Sequence, residues 1–167
     1  MQHRVFLSVL AALLITGATG CSSPGQGGEK GENAEVVQRV SLAQVPEPAR
    51  AVIAKLTAGG KIRKIEKTEE GGRTIYDVEA TVKDRQVEYD VAADGSLLTA
   101  GQSVSYASVP RPVRSAAEKY FGSAAGLKAF EEVEKGQTFY EISGRKGRTP
   151  MTLKLSDTGQ IVEEEKE

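Results

Sequence analysis

Residues 41–50 read SLAQVPEPAR and residues 105–114 read SYASVPRPVR, so one ten-residue pattern returns after 64 positions. The same offset, without a gap, relates further identical residues: Thr74 and Thr138, Tyr76 and Tyr140, Gly95 and Gly159. Apolar positions between these anchors keep the same register. A fixed period of this length indicates a duplicated structural unit. The sequence therefore predicts two tandem copies, residues 41–102 and residues 103–167.

Each copy is predicted to begin with a helix, because the Val-Pro-x-Pro sequence places proline in a first turn, where it is tolerated. Apolar residues then recur at the spacing of one helical face in both copies. They are Ala49, Val52, Ile53 and Leu56, then Val113, Ala116, Ala117 and Tyr120. Gly59, Gly60 and Gly122 are predicted to end the two helices.

Period-two alternation after each helix predicts short strands separated by glycine- and aspartate-containing turns. The predicted strands are 61–67, 74–82, 86–91 and one that opens at Leu97, then 127–134, 137–143, 150–155 and 160–163. The expected fold class is α+β, with two tandem modules that each pack one helix on a four-stranded antiparallel meander. The pattern leaves open whether the two sheets join into one continuous sheet.

The N-terminus has the features of an export signal. His3 and Arg4 precede an apolar run, 5–15, that is too short to span a bilayer as a helix, and small residues follow. Residues 1–20 are therefore predicted to be a signal peptide. The string 18–21, Ala-Thr-Gly-Cys, resembles the lipobox of bacterial lipoproteins, with Ala where Leu is usual.

The lipobox resemblance implies that Cys21 carries a diacylglycerol anchor after cleavage of the signal; the alternative is an ordinary signal peptide with an incidental cysteine. Residues 21–40 begin with a run rich in glycine and serine and are predicted to be a flexible linker. The expected location is the cell envelope. Ser22 after the cysteine favours the periplasmic face of the outer membrane, if the cell has one.

Composition excludes several classes of chemistry. The chain has one His, one Cys and a formal net charge of -1. If the signal is removed, no histidine remains and Cys21 is lipidated, which excludes a Ser-His-Asp triad, a cysteine nucleophile and a zinc site built on His or Cys. The near-neutral charge argues against nucleic-acid binding. We therefore expect no enzyme, no cofactor and no metal; Asp94 and Asp157 are predicted to be turn residues rather than calcium ligands.

Each unit resembles a PepSY-like module, a family related in fold to the β-lactamase inhibitor protein. The residues that carry the resemblance are Val45-Pro46, Tyr76-Asp77-Val78 and Asp94-Gly95, then Val109-Pro110, Tyr140-Glu141-Ile142 and Thr158-Gly159. It covers residues 41–165. The resemblance implies extracytoplasmic binding or inhibition and provides no catalytic residues. In the β-lactamase inhibitor protein, the concave face of the sheet meets the enzyme.

The candidate partner-binding surface is the sheet face opposite the predicted core. Tyr76 and Tyr140 alternate with apolar residues and are expected to be core residues, with ligand contact as the alternative. The opposite face is predicted to carry Ile75, Asp77, Glu79, Glu88, Asp90, Phe139 and Glu141. It is interpreted either as a solvated sheet face or as a docking surface for a basic protein or peptide. Acid–base catalysis is not expected, because an open face offers neither a pocket nor a perturbed pKa.

Two functions follow. The leading one is a non-enzymatic, membrane-anchored binding or inhibitory module for a protein or peptide. The alternative is a passive structural or envelope-stress accessory lipoprotein without a specific ligand. A binding module should present Ile75 and Phe139 in one contiguous exposed patch, whereas a passive module should bury or disperse them.

Overall fold

The computed structural model describes residues 37–167. The predicted signal peptide, Cys21 and most of the predicted linker lie outside these residues. The strands are β1 (Gln38–Arg39), β2 (Lys61–Glu70), β3 (Arg73–Val82), β4 (Arg85–Ala92), β5 (Leu97–Val104), β6 (Lys128–Glu134), β7 (Gln137–Lys146), β8 (Thr149–Ser156) and β9 (Ile161–Lys166). The helices are α1 (Glu47–Leu56) and α2 (Arg111–Phe121), each preceded by a short 3-10 turn, Leu42–Gln44 and Tyr106–Ser108.

The elements recur at the offset of the sequence repeat. The two 3-10 turns, the starts of α1 and α2, and the whole of β3 and β7 and of β4 and β8 are related by 64 positions. The second copy departs from the first in two strands: β6 is shorter than β2, and β9 is shorter than β5. The internal similarity of the sequence is therefore also a similarity of element order.

Both helices pack on the same side of the sheet, through the apolar stripes that the sequence predicts. Ala49 and Ile53 of α1 are fully buried against Ile65, Val78 and Val91. Val113 and Ala117 of α2 are likewise buried, in a second core with Tyr140, Ile142, Leu153 and Leu155. Tyr76 and Tyr140 belong to these cores, at 4% and 8% exposure, so the expectation that they are core residues is confirmed.

All nine strands form one antiparallel sheet in sequence order. β5 pairs with β6 from Thr99 opposite Glu134 to Val104 opposite Ala129, which joins the strands of the two predicted copies. Residues 37–167 thus form one continuous nine-stranded sheet with two helices, which resolves the question that the sequence left open, while the division into two four-stranded modules stays a prediction. Joining the strands satisfies the backbone groups of two edges that would otherwise be open.

Two turns of the sheet lie so close to the helix starts that each contains a glycine. Gly95, with a φ of 90°, follows β4, and a Cβ there would lie 3.0 Å from the Pro48 carbonyl oxygen. Gly159, with a φ of 84°, follows β8, and a Cβ would lie 2.6 Å from the Pro112 carbonyl oxygen. Both the left-handed backbone and the close approach require glycine.

Several boundaries differ from the predicted ones. Gln38–Arg39 falls inside the predicted linker, yet it pairs with β2 at Lys67 and Glu66. β2 extends to Glu70 and β7 to Lys146, beyond the predicted ends, because polar residues continue the hairpin ladders. Within residues 37–167, no helix has the length and apolar character needed to cross a bilayer.

Candidate functional site

The side of the sheet turned away from both helices carries a concentration of carboxylates, which we call the acidic face. Strand register places eight carboxylates in its centre: Glu66, Asp77, Glu79, Glu88, Asp90, Glu132, Glu134 and Glu141. Lys64 and Lys154 are the lysines among them. Other basic residues on this side, Arg39, Lys61, Arg73, Lys128 and Arg145, lie at or near strand ends. The centre of this face is therefore negative, with basic residues towards its margin.

Seven of the eight carboxylates, all except Glu141, lie in two neighbouring rows that cross the strands. One row runs Glu66, Asp77, Asp90, Thr99, Glu134 from β2 to β6. The other runs Lys64, Glu79, Glu88, Gly101, Glu132, Phe139 from β2 to β7. Neighbours in a row are separated by the strand spacing of about 4.8 Å, so like charges stand beside one another from Glu66 to Asp90 and at Glu79 and Glu88, while Thr99 and Gly101 separate them from the carboxylates of β6.

Each lysine binds two of these carboxylates. Lys64 Nζ lies 2.6 Å from Glu79 Oε1 and 3.0 Å from Glu66 Oε2. Lys154 Nζ lies 2.8 Å from Glu132 Oε2 and 3.5 Å from Glu134 Oε2. Burial acts to lower the pKa of both ammonium groups, but the bonds to these glutamates outweigh it, so each pKa is raised. The two lysines thus stay charged and neutralise part of the face internally.

Asp77 and Asp90 lie directly opposite each other, between the two lysine clusters. Burial, and then the charge of Asp90, raises the pKa of Asp77 to about 7. Burial also raises the pKa of Asp90, against the opposing effect of a hydrogen bond from Thr99. The expectation that an open sheet face would leave its carboxylates unperturbed is therefore wrong, because this pair is partly buried within the sheet face.

Glu141 is the most deeply buried carboxylate of the acidic face, at 2% exposure. Its strand neighbours are Phe130 on β6 and Lys154 on β8. Charge from Glu141 contributes to the raised pKa of Lys154. Glu141 is therefore part of an internal charge network rather than a freely exposed contact residue.

The two apolar residues of the predicted surface are far apart. Ile75 lies on β3 beside Thr68 and Ala92, whereas Phe139 lies on β7 beside Glu132 and Ser156, four strands away. Both are partly buried. They therefore do not form the contiguous exposed patch expected of a binding module, and their dispersal is the arrangement expected of a passive one.

A different aromatic group occupies the middle of this face. The Phe130 ring lies over Gly101, where a Cβ would approach the ring to 2.2 Å. Lys154 Nζ lies 5.0 Å from the centre of the Phe139 ring, within the range of a cation–π contact. Phe130, Glu132 and Glu134 were not among the predicted surface residues. Period-two alternation along 128–134 was the available signal, but it could not show that β6 lies beside β5.

The acidic face can bind protons and cationic groups. Among residues 37–167, no three His, Cys, Asp or Glu side chains converge in a way that would hold a metal ion. Asp94, one of the two residues considered for calcium, accepts a hydrogen bond from the backbone N–H of Ser96, as a turn aspartate does. The carboxylates of the two rows are instead spread over four strands, β2, β3, β4 and β6, which suits an extended cationic segment.

No protein-family model matches the chain, and no curated protein matches its sequence. Solved structures share its fold at low sequence identity. A protein described as periplasmic from Bacteroides eggerthii is 11% identical with a TM-score of 0.56, and the match covers 73% of this chain and 88% of that one. A DUF2874 family protein from Bacteroides uniformis is 12% identical with a TM-score of 0.54, over 72% and 88% of the two chains.

A BLIP-like protein from Bacteroides fragilis, BLIP being the β-lactamase inhibitor protein, also has this fold. It is 15% identical with a TM-score of 0.51, and the match covers 72% of this chain and 86% of that one. The fold implied by the sequence resemblance is therefore confirmed at the level of a BLIP-like sheet with helices on one side. At this identity the similarity establishes fold alone.

Proposed function

We propose that this chain is a non-enzymatic, extracytoplasmic binding protein, anchored to a membrane through Cys21, whose acidic face docks a cationic segment of a protein or peptide. The observation that carries the proposal is the charge of that face. Eight carboxylates share its centre with two lysines, and both lysines are already bound by carboxylates of the same face. A lysine- or arginine-rich segment provides the complementary charge.

The N-terminus and the fold both support an extracytoplasmic location for this binding protein. The predicted signal peptide and lipobox support a location outside the cytoplasm, and solved structures of the same fold include proteins described as periplasmic. We further propose that the two halves arose as copies of one PepSY-like unit, since most of the elements recur after 64 positions.

Lipidation has a direct test. Intact mass of the protein purified from membranes should show loss of residues 1–20 and addition of acyl chains, and Cys21→Ser should abolish both the added mass and membrane retention. An unmodified Cys21 in a processed, released protein would contradict the anchor while leaving the docking surface untouched.

Docking is tested with charge-matched variants of the full chain, purified in a non-ionic detergent. The test variant, Glu79→Gln/Glu88→Gln/Glu134→Gln, removes three charges from the acidic face and leaves the Asp77–Asp90 pair in place. The control variant, Glu47→Gln/Asp84→Asn/Asp157→Asn, removes three charges from exposed positions elsewhere. Binding of a fluorescent lysine- and arginine-rich peptide is measured by anisotropy as salt is raised.

We expect the test variant to lose at least tenfold in affinity for the peptide and the control variant to lose less than twofold. The affinity of the wild-type chain should fall as the salt concentration rises. Equal losses in both variants would show a response to net charge alone and would contradict a defined surface. Absence of binding by the wild-type chain would favour the second candidate.

That second candidate is a passive structural or envelope-stress accessory lipoprotein. The observation that favours it is the dispersal of Ile75 and Phe139 across four strands, since most protein interfaces have an apolar centre. Phe130 and Phe139 offer only limited apolar area to a partner. A passive role is supported if deletion changes envelope integrity and the triple acidic-face variant restores it fully.

A further inference from the structure

Asp77 and Asp90 are cross-strand neighbours that both point to the acidic face. Side chains in this relationship have Cβ atoms about 4.5 to 5.5 Å apart, which lets two carboxyl groups meet. Both residues are partly buried. Two carboxylates at this separation, away from bulk water, cannot both ionise without a large electrostatic cost, and such pairs titrate as a unit.

The second half of the chain has a different pair of residues at the positions equivalent to Asp77 and Asp90. Glu141 and Lys154 stand 64 positions after Asp77 and Asp90, and they too are direct cross-strand neighbours. There the acidic residue has a lysine opposite it. In the first half, the repeat places a second carboxylate where the lysine would be, so that position contains no cation of its own.

Charged and polar groups surround the pair from every neighbouring strand. They are Lys64 and Glu66 on β2, Glu79 on β3, Glu88 on β4, Thr99 on β5, Glu132 and Glu134 on β6, and Lys154 on β8. Of these, only Lys64 and Lys154 are positive, and each is bound to two glutamates. The environment therefore opposes a second negative charge on the pair.

We propose that Asp77 and Asp90 share one proton at neutral pH and act as the pH-sensitive element of the acidic face. Loss of that proton adds one negative charge to the centre of the face, and its return removes that charge. The direction of the Asp77 pKa, raised by burial and by Asp90, agrees with this assignment.

The effect of this proton on peptide binding rests on the proposed docking function. A cationic segment docked beside the pair stabilises the doubly ionised form, so binding releases the proton and weakens as pH falls. Between pH 8 and pH 6, affinity for the lysine- and arginine-rich peptide should fall about fivefold, the effect of roughly one partly screened charge pair.

The proton itself is tested without any partner, by NMR titration of the full chain labelled with ¹³C at the aspartate carboxyl carbon. One aspartate resonance should have its midpoint near neutral pH, and Asp77→Asn should remove it. Asp84→Asn, at an exposed turn, should leave that midpoint in place. Titration of every aspartate below pH 5 in the folded chain would overturn the proposal.

A repeat-based variant provides the second arm. Asp90→Lys copies the arrangement of Glu141 and Lys154, and it should move the midpoint of Asp77 below pH 5 while amide dispersion shows that the fold persists. A midpoint that stays near neutral beside the new lysine would contradict a shared proton. If the titration is as proposed but the acidic-face variants bind the peptide normally, the docking function fails alone; if binding depends on the face but not on pH from 6 to 8, the coupling fails alone.

Discussion

At the residue scale, glycines occur in turns either because the backbone has a positive φ or because a Cβ would also collide with a neighbouring element. Gly147 and Gly159 both have positive φ, at 64° and 84°. Nothing surrounds a Cβ at Gly147 within 4 Å, whereas at Gly159 it would meet the backbone of Pro112. The pair therefore separates the cost of the dihedral angle from the cost of contact with the helix start.

For Gly159→Ala, we expect a loss of about 2 to 4 kcal/mol in the free energy of unfolding, since backbone strain and a collision add. Gly147→Ala should cost only about 1 kcal/mol, from the dihedral alone. Urea unfolding followed by circular dichroism measures both. Equal losses would show that a side chain at position 159 does not collide with the start of α2.

Also at this scale, the raised pKa of Asp77 has a consequence for stability. The folded-state pKa is about 7, above the value of about 3.9 in the unfolded chain. The folded chain thus binds more protons between these values. Its contribution to stability is fully present below about pH 4 and is lost as pH rises through 7.

For Asp77→Asn we expect a gain of about 1 to 3 kcal/mol at pH 8, because the variant places no charge in the buried pair. The gain should shrink as pH falls and vanish near pH 4. Urea unfolding of both chains at several pH values gives the difference, which cancels carboxylates common to both. A difference independent of pH would mean that Asp77 ionises in the folded state as it does in the unfolded one.

At the scale of elements, each helix contributes one apolar stripe to a core beneath it. Ile53 of α1 is fully buried, while Lys55, two residues later on the same helix, is exposed. α2 ends in a left-handed cap at Gly122, whose N–H donates to the Glu118 carbonyl. α1 ends instead at Thr57, whose hydroxyl donates to the Ile53 carbonyl. The two copies thus end their helices with different chemistry.

We expect Ile53→Ala to lower the free energy of unfolding by about 2 to 4 kcal/mol, the cost of a cavity under α1. Lys55→Ala serves as the matched control on the same helix and should change stability by less than about 0.5 kcal/mol. Chemical denaturation compares the two. A small effect of Ile53→Ala would mean that α1 contributes little to the first core.

At the scale of the whole molecule, the continuous sheet joins two separate cores. One core lies under α1 and the other under α2, and the six residue pairs of β5 and β6 connect them. Since those pairs form a regular hydrogen-bonded ladder, opening one half exposes the edge of the other. The halves should therefore unfold together rather than in sequence.

This expectation is tested with one core variant in each half, Ile53→Ala and Leu153→Ala. Each should shift a single cooperative thermal transition downwards, with native-state hydrogen exchange showing the loss in both halves. Two separate transitions, or loss of protection confined to the mutated half, would show that the halves fold independently.

The local features of this protein follow from its amino-acid sequence alone. The 64-residue repeat located the helices, and their apolar stripes identified Ala49 and Ile53 as core residues. Period-two alternation placed Tyr76 in the core and Asp77 on the opposite side. These predictions succeeded because helical and strand periodicity depend on residues a few positions apart.

The identity of neighbouring strands, in contrast, follows from the folded structure and could not be read from local sequence. Alternation could not show that Glu132 and Glu134 lie two strands from Asp90 on the same face, because that relation depends on the pairing of β5 with β6. It also could not show that Ile75 and Phe139 lie four strands apart, or that side chains of several strands bury Asp77 and Asp90. Strand order and register arise from contacts between distant parts of the chain, and these contacts determine the charge environment of the acidic face.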